Sequence, residues 1–404
     1  MTRRDSLRSI LGLGLGFHGL SLPSPAGAAT ALGRVREALQ RFVDRKEVAG
    51  AVAVVGDGGG MLAVEAVGLR DVEAGLPMAP DTIFRVASMT KPITAIAVLM
   101  LADEGKLGLD DPVEKYLPEF RGQQCVVEKT ELVAAARPPT RPIRLRDLLT
   151  HTSGLPDKSD PAVPASDARE AATLADAVRA YAYRRLDFEP GLKWAYSNAG
   201  IATLGRVVEV VSGRPYEESL QDRLFTPLGM VDTTFFPTPE QMKRTAVTYD
   251  RKDESLRAVD SSRVAPVRGQ RYPNPAGGLY ATAGDMARLD RMLLNRGVDE
   301  GRRRSLSETS FAEMTRVQTG DLKVGFVDGM GFGLGVGVVR TPSGVTEALS
   351  PGTFGHGGAF GTQSWIDPRK RRFAILMIQR AGMPNGDASE IRRDFQAIAF
   401  GPGD

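Results

Sequence analysis

Between positions 93 and 101 every residue but Thr94 is apolar, and Pro92 and Gly105 frame the run. A helix that is apolar on every side has to be buried. Pro92 fits its first turn, where a missing N–H costs nothing. With 42% hydrophobic and 25% charged residues over 404 positions, the chain can build a large soluble core around such a helix. Directly before the run stands Ser88-Met89-Thr90-Lys91, a serine and a lysine three residues apart. On a helix, i and i+3 share a face, so Lys91 can reach the Ser88 hydroxyl. A serine hydroxyl is a poor nucleophile at neutral pH and needs such a base. At the helix start, Ser88 also lies where free N–H groups favour developing negative charge. Alone, this pattern also describes a serine N-cap beside a solvated lysine.

Two further segments bear on the choice. Trp194-Ala195-Tyr196-Ser197-Asn198 follows a Pro190-Gly191 turn and precedes a helical stretch over residues 201–211. It reads either as a packed aromatic with an Asn N-cap, or as Y-x-N, a tyrosine base with an amide that orients Lys91 and substrate. Gly355-His356-Gly357-Gly358-Ala359 leads into a strand-like segment over 361–366. It reads either as a glycine-rich turn, or as an edge strand whose bare backbone lets a ligand approach.

In this order and spacing, Ser88, Tyr196 and His356 resemble the signature triplet of the serine β-lactamase and penicillin-binding superfamily. The resemblance is nearest to its esterase branch, the family VIII carboxylesterase-like proteins that look like class C β-lactamases. There the second motif is Y-x-N and the third is often H-G-G rather than K-T-G. The segments at 148–155, 227–230 and 277–285 resemble the same family, and the likeness covers roughly residues 30–400. It implies a serine hydrolase with a Ser88 acyl-enzyme. Lys91 and Tyr196 would share the base work. Asn198 would hold Lys91 and a substrate carbonyl. The backbone N–H groups of Ser88 and Ala359 would form the oxyanion hole, with His356, Gly357 and Gly358 lining the site.

Composition excludes several classes. A net charge of +3 is too small to argue for nucleic acid or an anionic membrane as partner. Cys125 is the one cysteine, so no internal disulfide forms. With His18, His151 and His356 alone, and no H-E-x-x-H, a histidine-built zinc site is excluded. There is no G-x-S-x-G elbow and no Walker sequence. The expected partner is a small-molecule ester, and the chemistry calls for no cofactor and no metal. The alternating glycines from Gly329 to Gly337 suit a strand with one bare face.

Residues 1–28 read as an export signal. Thr2-Arg3-Arg4-Asp5-Ser6-Leu7-Arg8 resembles a twin-arginine motif, an apolar stretch follows, and Ala26-Gly27-Ala28 offers a cleavage site. A periplasmic or secreted protein is expected, without stable membrane insertion once the signal is removed.

Beyond the signal, residues 31–45 form an amphipathic pattern with Leu32, Val35, Leu39 and Phe42 on one face. Apolar runs at 52–55 and 62–66 flank a glycine-rich turn and predict a hairpin. Residues 116–275 are rich in helical patterns and proline loops, without sustained strand alternation. Strands return at 332–340, 361–366 and 373–379, and 387–400 closes with a helix. Strands at both ends with helices between predict an α/β (α+β) fold. Residues 29–115 and 276–404 would form one discontinuous domain with an antiparallel sheet, and 116–275 a mainly helical insert.

A free tyrosine has a pKa near 10, so as a base Tyr196 would need the nearby Lys91 cation to lower it. A Ser-His-Asp triad is the rival, with His151 or His356 as base. His151 sits in a helix end and turn and His356 at the K-T-G position, which lines the family's site without being its base. In K-T-G enzymes the lysine and hydroxyl residue help bind a substrate carboxylate. A mostly neutral His356 and a bare Gly357 weaken that recognition, which favours uncharged esters. The alternatives are a β-lactamase or D-alanyl-D-alanine carboxypeptidase, an acyltransferase, and a non-catalytic penicillin-binding sensor.

Overall fold

A computed structural model describes residues 25–129, 134–160, 163, 165, 167, 168 and 171–401. Its first strand, β1 (Gly50–Asp57), is buried along nearly its whole length. Val52 and Val54 enter one core, while Ala51, Ala53 and Val55 enter another. A strand covered on both faces needs apolar residues at successive positions, which explains the unbroken run there. β1 pairs antiparallel with β2 (Gly60–Asp71), giving the expected hairpin. On its other side it pairs with β14 (Arg372–Met377).

The sheet continues outward from β14 through β13 (Gln363–Asp367), β12 (Phe354–Gly357), β11 (Gly337–Val339) and β10 (Met330–Phe332). Beyond β2 lies the short β3 (Leu76–Pro77). N- and C-terminal segments thus share one antiparallel eight-stranded sheet, as the α/β expectation required. Helices Pro25–Asp44 and Glu390–Phe400 cover one face through Val35, Leu39, Phe42 and Phe395. Helices Thr90–Asp103 and Ala283–Leu294 cover the other, and the apolar run at 93–101 is buried there except at Met100, which is partly exposed. A two-strand ladder of β4 (Ile83–Arg85) and β9 (Tyr280–Thr282) leads the chain into the central helix.

Four expectations need correction. The strand expected over 332–340 is two strands, β10 and β11, with a reversal between them. Gly333 N–H donates to Val336 O at 2.8 Å, and Gly335 has φ +73°. A Cβ on Gly335 would lie 2.5 Å from Ala95 Cβ, so glycine lets this turn close on the central helix. Residues 116–275 do contain strands: hairpins of β5 (Cys125–Lys129) with β6 (Ala134–Arg137), and of β7 (Tyr249–Lys252) with β8 (Ser255–Ala258). The β7–β8 turn is made by Asp253 and Glu254 at φ +49° and +60°, without the glycine or asparagine that announces such turns. β12 is interior, between β11 and β13, rather than an edge. Its ladder with β11 joins only Gly355 and Phe354, so His356 and Gly357 extend beyond it. The first helix begins at Pro25 rather than residue 31, and the expected export motif lies outside the described residues.

Candidate active site

β4 delivers the chain to Val86, whose N–H donates to Leu279 O at 3.0 Å. Ala87 then adopts φ +48°, a left-handed conformation costing about 1–2 kcal/mol for a residue with a Cβ. Surrounding bonds hold it: Thr90 Oγ1 donates to Ala87 O at 2.7 Å and accepts from Leu279 N–H at 3.3 Å. Thr362 Oγ1 donates to Val86 O at 3.1 Å and ties the β12–β13 turn to the same spot. A 3₁₀ turn, Ala87–Met89, runs into the helix, and no side chain caps either start. The N-cap alternative for Ser88 therefore falls.

The Ser88 hydroxyl is held by both expected partners. Tyr196 Oη lies 2.8 Å from Ser88 Oγ and Lys91 Nζ lies 3.0 Å from it. Lys91 is fully buried, and its Nζ also meets Asn198 Oδ1 at 2.8 Å and Ala276 O at 2.6 Å. Nζ sits 4.6 Å above the Tyr196 ring. Burial pulls the Lys91 pKa down to about 7, against an upward pull from Asp157. The two carbonyl-type oxygens of Asn198 and Ala276 must accept hydrogens. A neutral Lys91 has two N–H groups for them and one lone pair left for the Ser88 proton.

Tyr196 departs from the expectation that Lys91 would lower it. Burial raises its pKa, the bond with Ser88 opposes this, and the Asp387 and Asp157 charges add to the rise. A phenol removed from water resists ionisation more than the neighbouring amine attracts the anion. Tyr196 Oη donates to Ser88 Oγ, and burial works against its ionisation, while burial favours the neutral form of Lys91.

Asn198 opens helix Asn198–Ser212, but Ser197 is its N-cap, accepting from Gly200 N–H at 2.9 Å. That leaves the Asn198 amide free to bridge Lys91 and Asp157, whose Oδ2 accepts from Nδ2 at 2.7 Å. Asp157 Oδ1 also accepts from Ala199 N–H at 2.9 Å. Sequence reasoning missed Asp157, Ala276 and Phe326. Asp157 is 41 residues from Asn198, and Ala276 contributes only a carbonyl, so neither leaves a pattern. Phe326, half-exposed, packs edge-on against Tyr196 at 5.3 Å between centroids.

The two histidines flank Tyr196. His151, expected as structural, is fully buried at φ +58° with its ring 4.6 Å from that of Tyr196. Its Nδ1 accepts from Ser197 N–H at 3.2 Å. The His356 ring lies 6.2 Å from Tyr196, and its Nδ1 meets Gly357 O at 2.6 Å. Burial and Lys91 lower its pKa to about 4. Neither ring bonds Ser88 among the described residues, so the triad alternative has no geometry here.

A Cβ on Gly358 would lie 2.5 Å from Val86 O and 3.4 Å from Ala87 Cβ, so the turn after β12 runs against the residues before Ser88. The next residue, Ala359, is exposed on that turn. Gly357 is buried, and a Cβ there would collide with Asp387 Oδ1. A cavity of about 950 Å³ adjoins Asn198 and is lined also by Gly277, Tyr181, Tyr272 and Phe235. Among the described residues, no group of three His, Cys, Asp or Glu side chains could hold a metal.

With this geometry in place, the family model described as Beta-lactamase matches residues 35–399. The chain belongs to the beta-lactamase family. It is a serine hydrolase of that fold. The esterase EstB of Burkholderia gladioli is 32% identical over 87% of this chain and 91% of its own length. A putative D-alanyl-D-alanine carboxypeptidase of Escherichia coli (strain K12) is 28% identical over 78% of this chain and 73% of its own. The solved structure of EstCE1, a hydrolase with promiscuous acyltransferase activity, superposes with a TM-score of 0.75 at 24% identity, over 93% of this chain and 99% of that one.

Proposed function

We propose that the chain hydrolyses carboxylic esters through a Ser88 acyl-enzyme, with Lys91 as general base. One observation carries this reading: Ser88 Oγ has Tyr196 Oη at 2.8 Å and a buried, easily neutralised Lys91 Nζ at 3.0 Å. Ser88 Oγ attacks the ester carbonyl carbon while its proton passes to Lys91. The carbonyl oxygen becomes an oxyanion facing the N–H groups of Ser88 and Ala359, each worth about 3–4 kcal/mol in comparable hydrolases. Collapse breaks the bond to the alcohol, whose oxygen takes a proton from Tyr196 Oη, and the Lys91 ammonium restores the tyrosine. Water then repeats the steps on the acyl-enzyme and releases the acid. Asn198 and Ala276 hold Lys91 in place throughout.

The ester reading is favoured over β-lactam or D-alanyl peptide hydrolysis because no lysine or hydroxyl residue stands in the third motif. The EstB relative supports the same choice. Acyl transfer is a second reading: the cavity of about 950 Å³ beside Asn198 has room for a bulky acceptor alcohol. Rates with a nitrophenyl butyrate, nitrocefin and a D-Ala-D-Ala peptide, for the wild type and Ser88→Ala, test the proposal. Ester turnover lost in Ser88→Ala supports it. Turnover retained in that variant removes it.

A further inference from the structure

The space where a side chain at position 357 would stand is occupied by a carboxylate. A Cβ on Gly357 would collide with Oδ1 of Asp387, which reaches across from a different element. Asp387 belongs to a short turn, Gly386–Ala388, that precedes the last helix. Asn385 anchors that turn: its Oδ1 accepts from the Asp387 N–H at 3.1 Å, and its Nδ2 donates to Phe326 O at 3.0 Å. Phe326 is the ring packed on Tyr196. The carboxylate is therefore fixed relative to the wall of the catalytic cleft.

Its oxygens are used unequally. Oδ1 accepts from Gln363 Nε2 at 3.1 Å and faces Arg392 Nη1 at 3.4 Å. Among the described residues, Oδ2 has no hydrogen bond. Arg392 is 1% exposed, stacked on Trp365 at 4.3 Å, and donates to the Asp387 backbone carbonyl at 2.5 Å. Asp387 keeps 24% of its side chain exposed. The pair thus buries its positive end between the last helix and the sheet and leaves its negative end partly exposed. A small cavity of about 40 Å³ brings Asp387 together with Trp194, Phe326, His356 and Gly357. The Asp387 charge also acts on both Tyr196 and His356, opposing ionisation of the one and favouring protonation of the other.

We propose that Asp387 sets the charge specificity of the cleft, turning away substrates that carry a carboxylate beside the scissile ester and admitting neutral or cationic ones. The inference rests on the Ser88 ester-hydrolase reading and deepens it. A bare Gly357 explains only why anion binding is weak. A carboxylate in the vacated place makes it unfavourable, because like charges brought together in a partly desolvated cleft repel. The glycine and the aspartate form one device, since the first makes room for the second.

The test uses the purified full chain with two esters of nearly equal size, 4-nitrophenyl butyrate and mono-4-nitrophenyl succinate. The quantity read is the ratio of kcat/KM for the anionic ester to that for the neutral one. Asp387→Asn keeps the acceptor for Gln363 and removes the charge, and the ratio should rise about tenfold, the scale of one partly compensated charge pair. In the wild type, raising the salt concentration should lift kcat/KM for the succinate ester relative to the butyrate, because ions screen the repulsion. That second measurement decides the matter if Asp387→Asn does not fold. A ratio unmoved by both Asp387→Asn and salt, with butyrate still hydrolysed, overturns the role of Asp387 and leaves the ester reading intact. If neither ester is hydrolysed and Ser88 takes no phosphonate label, the ester reading itself fails, and this inference goes with it.

Discussion

The amide of Asn198 is shared with Asp157: Nδ2 donates to Asp157 Oδ2 at 2.7 Å while Oδ1 faces Lys91 at 2.8 Å. Asp157 never touches Lys91, yet it orients the group that does, and its charge raises the Lys91 pKa. The sign of its removal follows. Asp157→Asn keeps an acceptor for the amide but withdraws a negative charge that favours the ammonium. Lys91 should then lose its proton at lower pH. The acid limb of the kcat/KM profile should move to lower pH than in the wild type. A profile that is merely scaled down would show that Asp157 acts only through folding.

The wild-type profile carries its own expectation. Lys91 is pulled to about 7 by burial, so the neutral amine is scarce below that pH and dominant above it. Activity should rise through about pH 7 and be lost on the acid side. Lys91→Arg retains the positive charge but cannot deprotonate in this range. It should lower kcat by roughly 10²-fold or more and abolish the limb. A limb that persists in Lys91→Arg would assign it to another group.

Tyr196 and Lys91 converge on one oxygen, Ser88 Oγ. Their losses should therefore not add. Tyr196→Phe and Lys91→Ala should each lower kcat by roughly 10²-fold, and the double variant should be little worse than the poorer single one. Additive losses would show separate tasks.

Much of this site was legible from local pattern. Ser88 and Lys91 lie three residues apart at a helix start, and Tyr196 and Asn198 lie two apart where another helix begins, so spacing predicts each pair. That the two pairs meet was implied by the resemblance to the β-lactamase and penicillin-binding superfamily. The directions in which the Lys91 and Tyr196 pKa values move were not legible, because they depend on desolvation. Burial lowers an amine and raises a phenol, and burial is a property of the whole fold. The sheet was read correctly where both faces are covered, as at Val52 and Val54. It was misread where glycine serves a reversal, as at Gly335, and where a hairpin turns on Asp253 and Glu254. Asp157 and Asp387 escaped because each reaches the site from a distant loop.

His356 stands where the sequence placed it and is neutral, as expected, but the fold holds it neutral far below the ordinary histidine range. Its Nδ1 is engaged by Gly357 O at 2.6 Å, and burial holds it neutral down to about pH 4. It should contribute no limb near the ordinary histidine value. His356→Asn should retain substantial ester hydrolysis with the acid limb still near 7. If the folded variant were as inactive as Ser88→Ala, His356 would be the base.

Gly357 and Asp387 should be energetically coupled. Gly357→Ala alone forces a methyl into Asp387 Oδ1 and against Gln363 Nε2, which lies 2.8 Å from the added Cβ. Overpacking of this kind costs roughly 1–3 kcal/mol. Asp387→Gly alone leaves Arg392 buried without its carboxylate, a loss of a different kind. In the double variant the methyl enters space that the carboxylate has left, while Gln363 keeps its bond from Trp365 Nε1 and need only shift its Nε2. The cost of Gly357→Ala should therefore shrink by about 1 kcal/mol or more in the Asp387→Gly background, within the range seen for residues in contact. Denaturant unfolding of the four proteins measures it. Strictly additive losses would mean that the backbone relaxes around the methyl, and that Gly357 does not owe its bareness to Asp387.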